Sequence, residues 1–347
     1  MSKKYEFVAG DEKVVNGVTL KRIRSLVFIP ATTSTPEVNI GDIGGYIEHE
    51  SNLDNSVTSR AWVYSDACVS GDAHVYGDAR IHGDACVSGN ARVSGDAWVS
   101  GNARVSGDAW VSGNACVYGN AGVYGNAHVS GNACVYGNAG VYGNAGVSGN
   151  ARVCGKACVY GDARVSGNTC VSGNVRVSCN ARVYGDACVS GDACVSGDAC
   201  VSGNARVSGN ACVSGNARVS GNACVYSDAW VSGNAWVYGN ASVSGNARVC
   251  GNARVYGDAC VSGNACVSGN AWVYNDGLVF WVSKVGSENG TLTVFNTKSN
   301  DLLVTRGCFI GTPDEFLTAS SKKHDADTHE EYQLLIKVAT SRINKAR

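Results

Sequence analysis

The sequence predicts an all-β solenoid, and three regularities carry that reading. Every sixth residue from Val57 to Val279 is Val, apart from Ile81, an unbroken run of 38 positions. Two residues before each Val, from Ala61 to Ala271, stands Ala in 34 of 36 cases, Thr169 and Val175 being the exceptions. The spacing A-x-V points two small apolar side chains one way and x the other, which is the alternation of a strand. Gly with Asn or Asp follows each short strand, and these residues best tolerate positive φ at a tight corner. A chain that turns every six residues must coil.

The period V-[S/Y]-G-[N/D]-A-x matches the hexapeptide repeat of left-handed parallel β-helices, in which three hexads close one triangular coil. Residues 57–276 are therefore expected to form a single-stranded left-handed parallel β-helix of about 12 coils. Such a solenoid has two open ends that need covering. Residues 1–56 read as an N-terminal β cap, with strand-like runs over Val18 to Ile29 and around Gly44-Gly45-Tyr46-Ile47. Residues 277–347 read as a small α+β domain for capping or interaction. Its β-like runs are Leu278 to Val285, Thr291 to Asn296 and Leu302 to Ile310. Two helices should follow, opened by the capping boxes Thr312-Pro313-Asp314-Glu315 and Thr328-His329-Glu330-Glu331. Tyr332, Leu335, Ile336, Ala339 and Ile343 form the apolar stripe of the second.

Composition narrows the functional classes. The 347 residues include 45 Gly but only 3 Pro, and no G-X-Y period, which excludes collagen and proline-rich disorder. Charged residues are 16% with a net charge of -1, so no global basic field exists to hold nucleic acid. In the coils 11 Arg and one Lys face 12 Asp, a near balance that argues against a nucleic-acid partner. No run of 18 apolar residues and no apolar segment behind the first lysines suggests a membrane span or an export signal. A cytoplasmic location with reduced thiols is expected for the 17 Cys.

At the level of motifs, the repeat entered through Gly44-Gly45-Tyr46-Ile47-Glu48, Asn52-Leu53 and Ala61-Trp62-Val63-Tyr64 resembles the YdcK-like hexapeptide-repeat proteins of bacteria and prophages. The tail, Arg306-Gly307-Cys308-Phe309-Ile310-Gly311-Thr312 before Glu315-Phe316, is similar to a small terminal domain of phage-encoded repeat proteins. Together the two cover nearly the whole chain. The resemblance implies the left-handed helix, phage or prophage origin and a possible virion association, and it implies no particular activity.

Chemistry was sought in the outward positions. A hexapeptide acyltransferase would need a catalytic His beside an extruded loop, within a trimer. No loop interrupts this frame, and His74, His82 and His128 fall on outward strand positions without an enclosing cavity. Cys188, Cys194 and Cys200 have metal-like spacing, yet steps of six point three ways. Only cysteines 18 apart share a face, such as Cys68 with Cys86, Cys116 with Cys134, Cys170 with Cys188 and Cys194 with Cys212, and two thiols are half a zinc site. Cys, Arg, Trp, Gly and Ser all have codons with G in the middle, so drift on a tolerant surface explains most of the x column. Cys308 with His324 or His329 could form a thiol and base, though nothing in sequence brings them together.

Two surfaces stand out as candidate binding sites. Arg218, Trp236, Arg254 and Trp272 alternate along the third face, extended by Arg164 and Arg182, and could stack as cation–π pairs or hold an acidic partner. Tyr118, Tyr124, Tyr136 and Tyr142 lie near Gly122 and Gly140, where a flat floor with aromatic rails could take a sugar or a partner chain. The expected function is a non-enzymatic rod, scaffold or binding surface. Self-association, as a trimer or other homo-oligomer, or a protein partner is expected, with no catalytic residue, metal or cofactor. The alternatives are an acyltransferase-like enzyme and a module that binds a ligand or host factor through the Arg/Trp or Tyr face.

Overall fold

The computed structural model describes residues 3–31 and 36–347. It comprises two compact units, residues 1–179 and 180–347.

In the first unit, β1 (Tyr5–Val15) and β2 (Val18–Ser25) form an antiparallel hairpin, and β3 (Ile43–Ile47) adds to β2. Sequence inspection missed β1 because its alternation is broken at Gly10, where φ is 76° and the register slips between Phe7 and Glu12. β3 then runs parallel to the strand Cys68–Val69, pairing Tyr46 with Cys68 and Ile47 with Val69. Leu53 bridges Val75 in parallel. Parallel stacking thus begins at Tyr46, before the expected start at Val57, and Val57 itself is 46% exposed. On its outer edge the first coil meets the antiparallel β2 rather than another coil, so it does not need the repeat's corner chemistry. Buried side chains hold it instead: Asn52 Nδ2 donates to the carbonyls of Gly71 and Ala73, both at 2.8 Å. Gly44 and Gly45 permit the close approach, since a Cβ on Gly45 would fall 2.5 Å from the Ala67 carbonyl oxygen.

From Trp62–Val63 onward, two-residue strands stack at intervals of 18 in three parallel sheets, as Cys86↔Arg104 and Val87↔Val105 illustrate. The ladder repeats almost unchanged: Cys86 N donates to Ala103 O and Ser88 N to Val105 O, each at 2.9 Å. Val and Ala at their repeat sites are essentially fully buried. Each coil therefore hides three Val and three Ala, and each Val contributes about 1.5–2 kcal/mol of apolar burial. Gly113, at φ 68°, shows why the corner is glycine: a Cβ there would lie 3.1 Å from the Gly131 backbone of the next coil. The x position is not uniformly outward. Trp62, Cys68 and Arg80 are buried, because the first coils lie beneath the N-terminal strands.

The second unit continues the same pattern from Arg182–Val183 to Trp272–Val273, again in three parallel sheets. A four-stranded antiparallel sheet follows, made of Val279–Val285, Gly290–Asn296, Leu302–Arg306 and Phe309–Gly311. The expected third run splits into the last two of these, a hairpin turning at Gly307, where φ is 59°. This sheet covers the last coils through hydroxyls: Thr305 Oγ1 donates to Cys266 O at 2.7 Å, and Thr293 Oγ1 accepts from Cys266 N at 3.0 Å.

Helix α1 (Pro313–Lys323) opens on the expected box, with Thr312 and Glu315 capping each other's backbone N–H. Helix α2 (Ala326–Ala346) starts earlier than expected. Its N-cap is Asp325, whose carboxylate accepts from Thr328 N at 2.8 Å, so Thr328 lies inside the first turn. Asp accepts more strongly than Thr beside the positive end of the helix dipole. Tyr332, Ile336, Ala339 and Ile343 are the buried positions of α2, while Leu335 stays half-buried. No helix among the described residues is long and apolar enough to cross a membrane.

Candidate functional site

The third face of the second unit carries the expected Arg/Trp line in strict register: Arg218↔Trp236, Trp236↔Arg254 and Arg254↔Trp272. Trp236 lies between two guanidinium groups, Arg218 at 4.9 Å and Arg254 at 5.0 Å from its ring centroid. Arg254 also sits 4.8 Å from the Trp272 ring, and Lys298 Nζ, from the C-terminal domain, lies 5.8 Å from it. The separations equal the spacing of neighbouring strands, about 4.8 Å, so the coils set the stack. Side chains of Arg218, Trp236, Arg254, Trp272 and Lys298 thus stand like cards on edge. Both faces of the Trp236 indole are filled from within the protein, while Trp272 turns its Nε1 edge to Tyr256, to which it donates. Lys298 is the member that sequence reading missed. No periodicity marks it; it arrives because Thr297 bridges Ala271 in the antiparallel sense and Lys298 N bonds Asn270 O.

A groove of about 1000 Å³ runs beside the stack, with Trp236, Arg254 and Trp272 on one side and Thr297, Lys298 and Asp301 on the other. Further along the same face, Arg182, Asp198 and Arg218 line a second depression of about 540 Å³. Asp198 and Asp301 are the only carboxylates lining the two. Among the described residues, no ion pair involves Arg182, Arg218, Arg254 or Lys298. The corner beside this face is a carboxamide ladder, in which Asn216 Nδ2 donates to Asn234 Oδ1 and Asn234 Nδ2 to Asn252 Oδ1, each at 3.1 Å.

The four tyrosines do not form one patch. Tyr118 and Tyr136 belong to one sheet and stack with centroids 4.9 Å apart. Tyr124 and Tyr142 belong to another and stack at 5.4 Å. Nor is there an open floor at the glycines. A Cβ on Gly122 would meet the Tyr124 ring at 2.2 Å, and one on Gly140 the Tyr142 hydroxyl at 2.1 Å and its ring at 2.2 Å. Each Tyr folds down over the Gly of its own strand and fills the space. Elsewhere the residue after Val packs diagonally against x of the next coil instead, as where Trp110 Nε1 donates to Ser94 Oγ at 3.2 Å.

Histidine and cysteine positions offer less. His74 and His128 are exposed on flat strands, with Trp110 tilted against His128 at 5.8 Å, and His82 stacks on Tyr64. No cysteine forms a disulfide, and no group of three metal-ligating side chains occurs among the described residues. Cys68 hydrogen-bonds Cys86, which pushes the Cys68 thiol up and pulls Cys86 down. The same diagonal rule pairs Cys250 with Cys266, a pair absent from the spacing of 18. Burial pushes Cys116 up to about 11. In the C-terminal domain Cys308 and His324 line one cavity of about 410 Å³. His324 Nδ1 is bonded to Ser287 Oγ, and both ring nitrogens of His329 are engaged, by Ser320 Oγ and Gln333 Nε2.

Stacked parallel strands on three faces, with a repeat of six and no inserted loop in the coils, define a β-solenoid repeat protein. Residues 85–101, 97–113, 199–215, 217–233 and 247–263 match the YdcK β-solenoid repeat, so those segments are similar to it. No curated protein matches the chain. Among solved structures it is similar to a "putative acetyltransferase" from Desulfovibrio desulfuricans, at 11% identity over 73% of this chain and 69% of that one, with a TM-score of 0.29.

Proposed function

We propose that this protein is a non-enzymatic solenoid that presents an interaction surface, the cationic stack of Arg218 to Lys298 with its adjoining groove. The observation that carries the reading is the absence of ion pairs for cations held at fixed spacing. Arg254, held against an indole on each side, and Arg218, held against one, lose little side-chain entropy when a partner engages them. The coil histidines lack an enclosure that would hold an acyl donor, which favours this reading over an acyltransferase.

The test is site-specific photo-cross-linking in the cells that make the protein, with the probe at Ser220 on this face or at Ser190 on another. Adducts concentrated at 220 are expected. Equal yields at the two positions would remove the surface from consideration. Acyl transfer from acetyl-CoA that disappears on His74→Ala or His128→Ala would overturn the non-enzymatic reading.

A further inference from the structure

The charge spacing of the third face points beyond a generic contact. Arg182, Arg218 and Arg254 are each two coils apart, connected through the register Arg182↔Cys200, Cys200↔Arg218, Arg218↔Trp236 and Trp236↔Arg254. Two coils advance about 9.6 Å. Lys298 adds a fourth cation beside Trp272, 5.8 Å from its ring centroid. Within the second unit this face therefore displays three arginines in line, one about every 9.6 Å and separated by Cys200 and Trp236, with Lys298 over Trp272 beyond them.

We propose that this row binds an acidic polysaccharide whose charge recurs every second sugar, the uronate–hexosamine class of disaccharide repeat. The proposal rests on the interaction surface described above and names its ligand. In an extended β-linked glycan one sugar advances by about the spacing of one coil. A carboxylate on alternate sugars then meets a guanidinium on alternate coils, each pair a charge-assisted hydrogen bond. The intervening hexosamines fall opposite Trp236, which is 36% exposed, and Trp272, which is partly exposed. Hydroxyls have partners at the corner, because Asn234 spends one donor and one acceptor on Asn216 and Asn252 and keeps a second N–H and a second lone pair.

Competing polyanions fit less well. An acidic strand places carboxylates on one face about every 6.8 Å, out of step with the row. Nucleic acid carries a phosphate about every 3.4 Å per strand in a duplex. Single strands are held by stacking bases on aromatic faces, and here Trp236 has both faces covered by Arg218 and Arg254.

The experiment is isothermal titration of the full chain with three probes: a uronate–hexosamine decasaccharide, a polyuronate decasaccharide charged on every sugar, and a decathymidylate. The expected order has the disaccharide repeat tightest, despite its lower charge. Arg218→Gln/Arg254→Gln should weaken it at least tenfold, while Arg206→Gln, on another face, leaves it unchanged. Far-UV circular dichroism and the melting curve confirm that each variant keeps its coils. Polyuronate binding as tight as the disaccharide repeat, or binding indifferent to the double variant, overturns the proposal. So does the absence of binding to the disaccharide repeat. Tighter binding of decathymidylate that is lost in the double variant overturns the ligand class but leaves the interaction surface standing. Equal cross-linking at the two faces removes the surface itself.

Discussion

The Arg254 guanidinium carbon stands 4.8 Å from the centre of the Trp272 ring, one coil away on the same face. It shares its other side with Trp236, so one side chain serves two rings. Removing the charge while keeping the chain length separates the two effects. Arg254→Met should destabilise the second unit by about 1–2 kcal/mol, the sum of two partly exposed cation–π contacts. Thermal or urea unfolding gives that number. The tryptophan emission should shift as well, because Trp236 and Trp272 lose a neighbouring cation.

Lys4 is fully buried, its Nζ donating to Ala61 O at 2.9 Å and reaching Ser59 Oγ at 3.4 Å. Burial pulls its pKa down to about 8, against the partial support of Asp54. The unfolded chain then binds more protons than the folded one between about pH 8 and 10.5, and stability rises with pH where that holds. Below pH 8 the full penalty applies, at most about 3 kcal/mol. Unfolding of wild type and Lys4→Met, measured from pH 7 to 10.5, should show the variant gaining its largest relative advantage near pH 7. That advantage should shrink as the pH rises. A constant difference across the range would show that Lys4 is not the titrating group.

Thr169 occupies an Ala site, fully buried, and its hydroxyl has no hydrogen-bond partner among the described residues. An unpaired buried hydroxyl costs about 1–3 kcal/mol. Thr169→Val keeps the shape and removes that cost, so the unfolding midpoint should rise by the equivalent of about 1–2 kcal/mol. Val175, one hexad on, shows that the column accommodates the side chain. No gain in denaturant midpoint would mean that the hydroxyl is satisfied.

Thiol reactivity should differ among half-buried cysteines of the first unit. Cys86 is pulled below the ordinary thiol range by the hydrogen bond from Cys68, and burial pushes Cys116 up to about 11. Because the thiolate is the reacting species, iodoacetamide at pH 7.5 should label Cys86 well before Cys116. Mass spectrometry of timed peptides reads the order. Equal rates would show that Cys68 does not stabilise the Cys86 thiolate.

The sequence by itself determined the coils. A Val, an Ala and a corner Gly recurring every six residues leave one arrangement that buries the first two and gives the third its positive φ. The in-register faces, including Arg218 to Trp272, followed from multiples of 18. Tertiary structure decided what no period encodes. Asp325 rather than Thr328 caps α2, because the carboxylate outcompetes a hydroxyl at a positive helix end. Tyr124 and Tyr142 close the gaps at Gly122 and Gly140, because a large neighbour fills space that a missing side chain leaves. Lys298 adds its charge beside Trp272 only because a separate antiparallel sheet lays its loop beside the last coil. Local periodicity set the scaffold, while contacts between residues that share no repeat set the shape and charge of the surface.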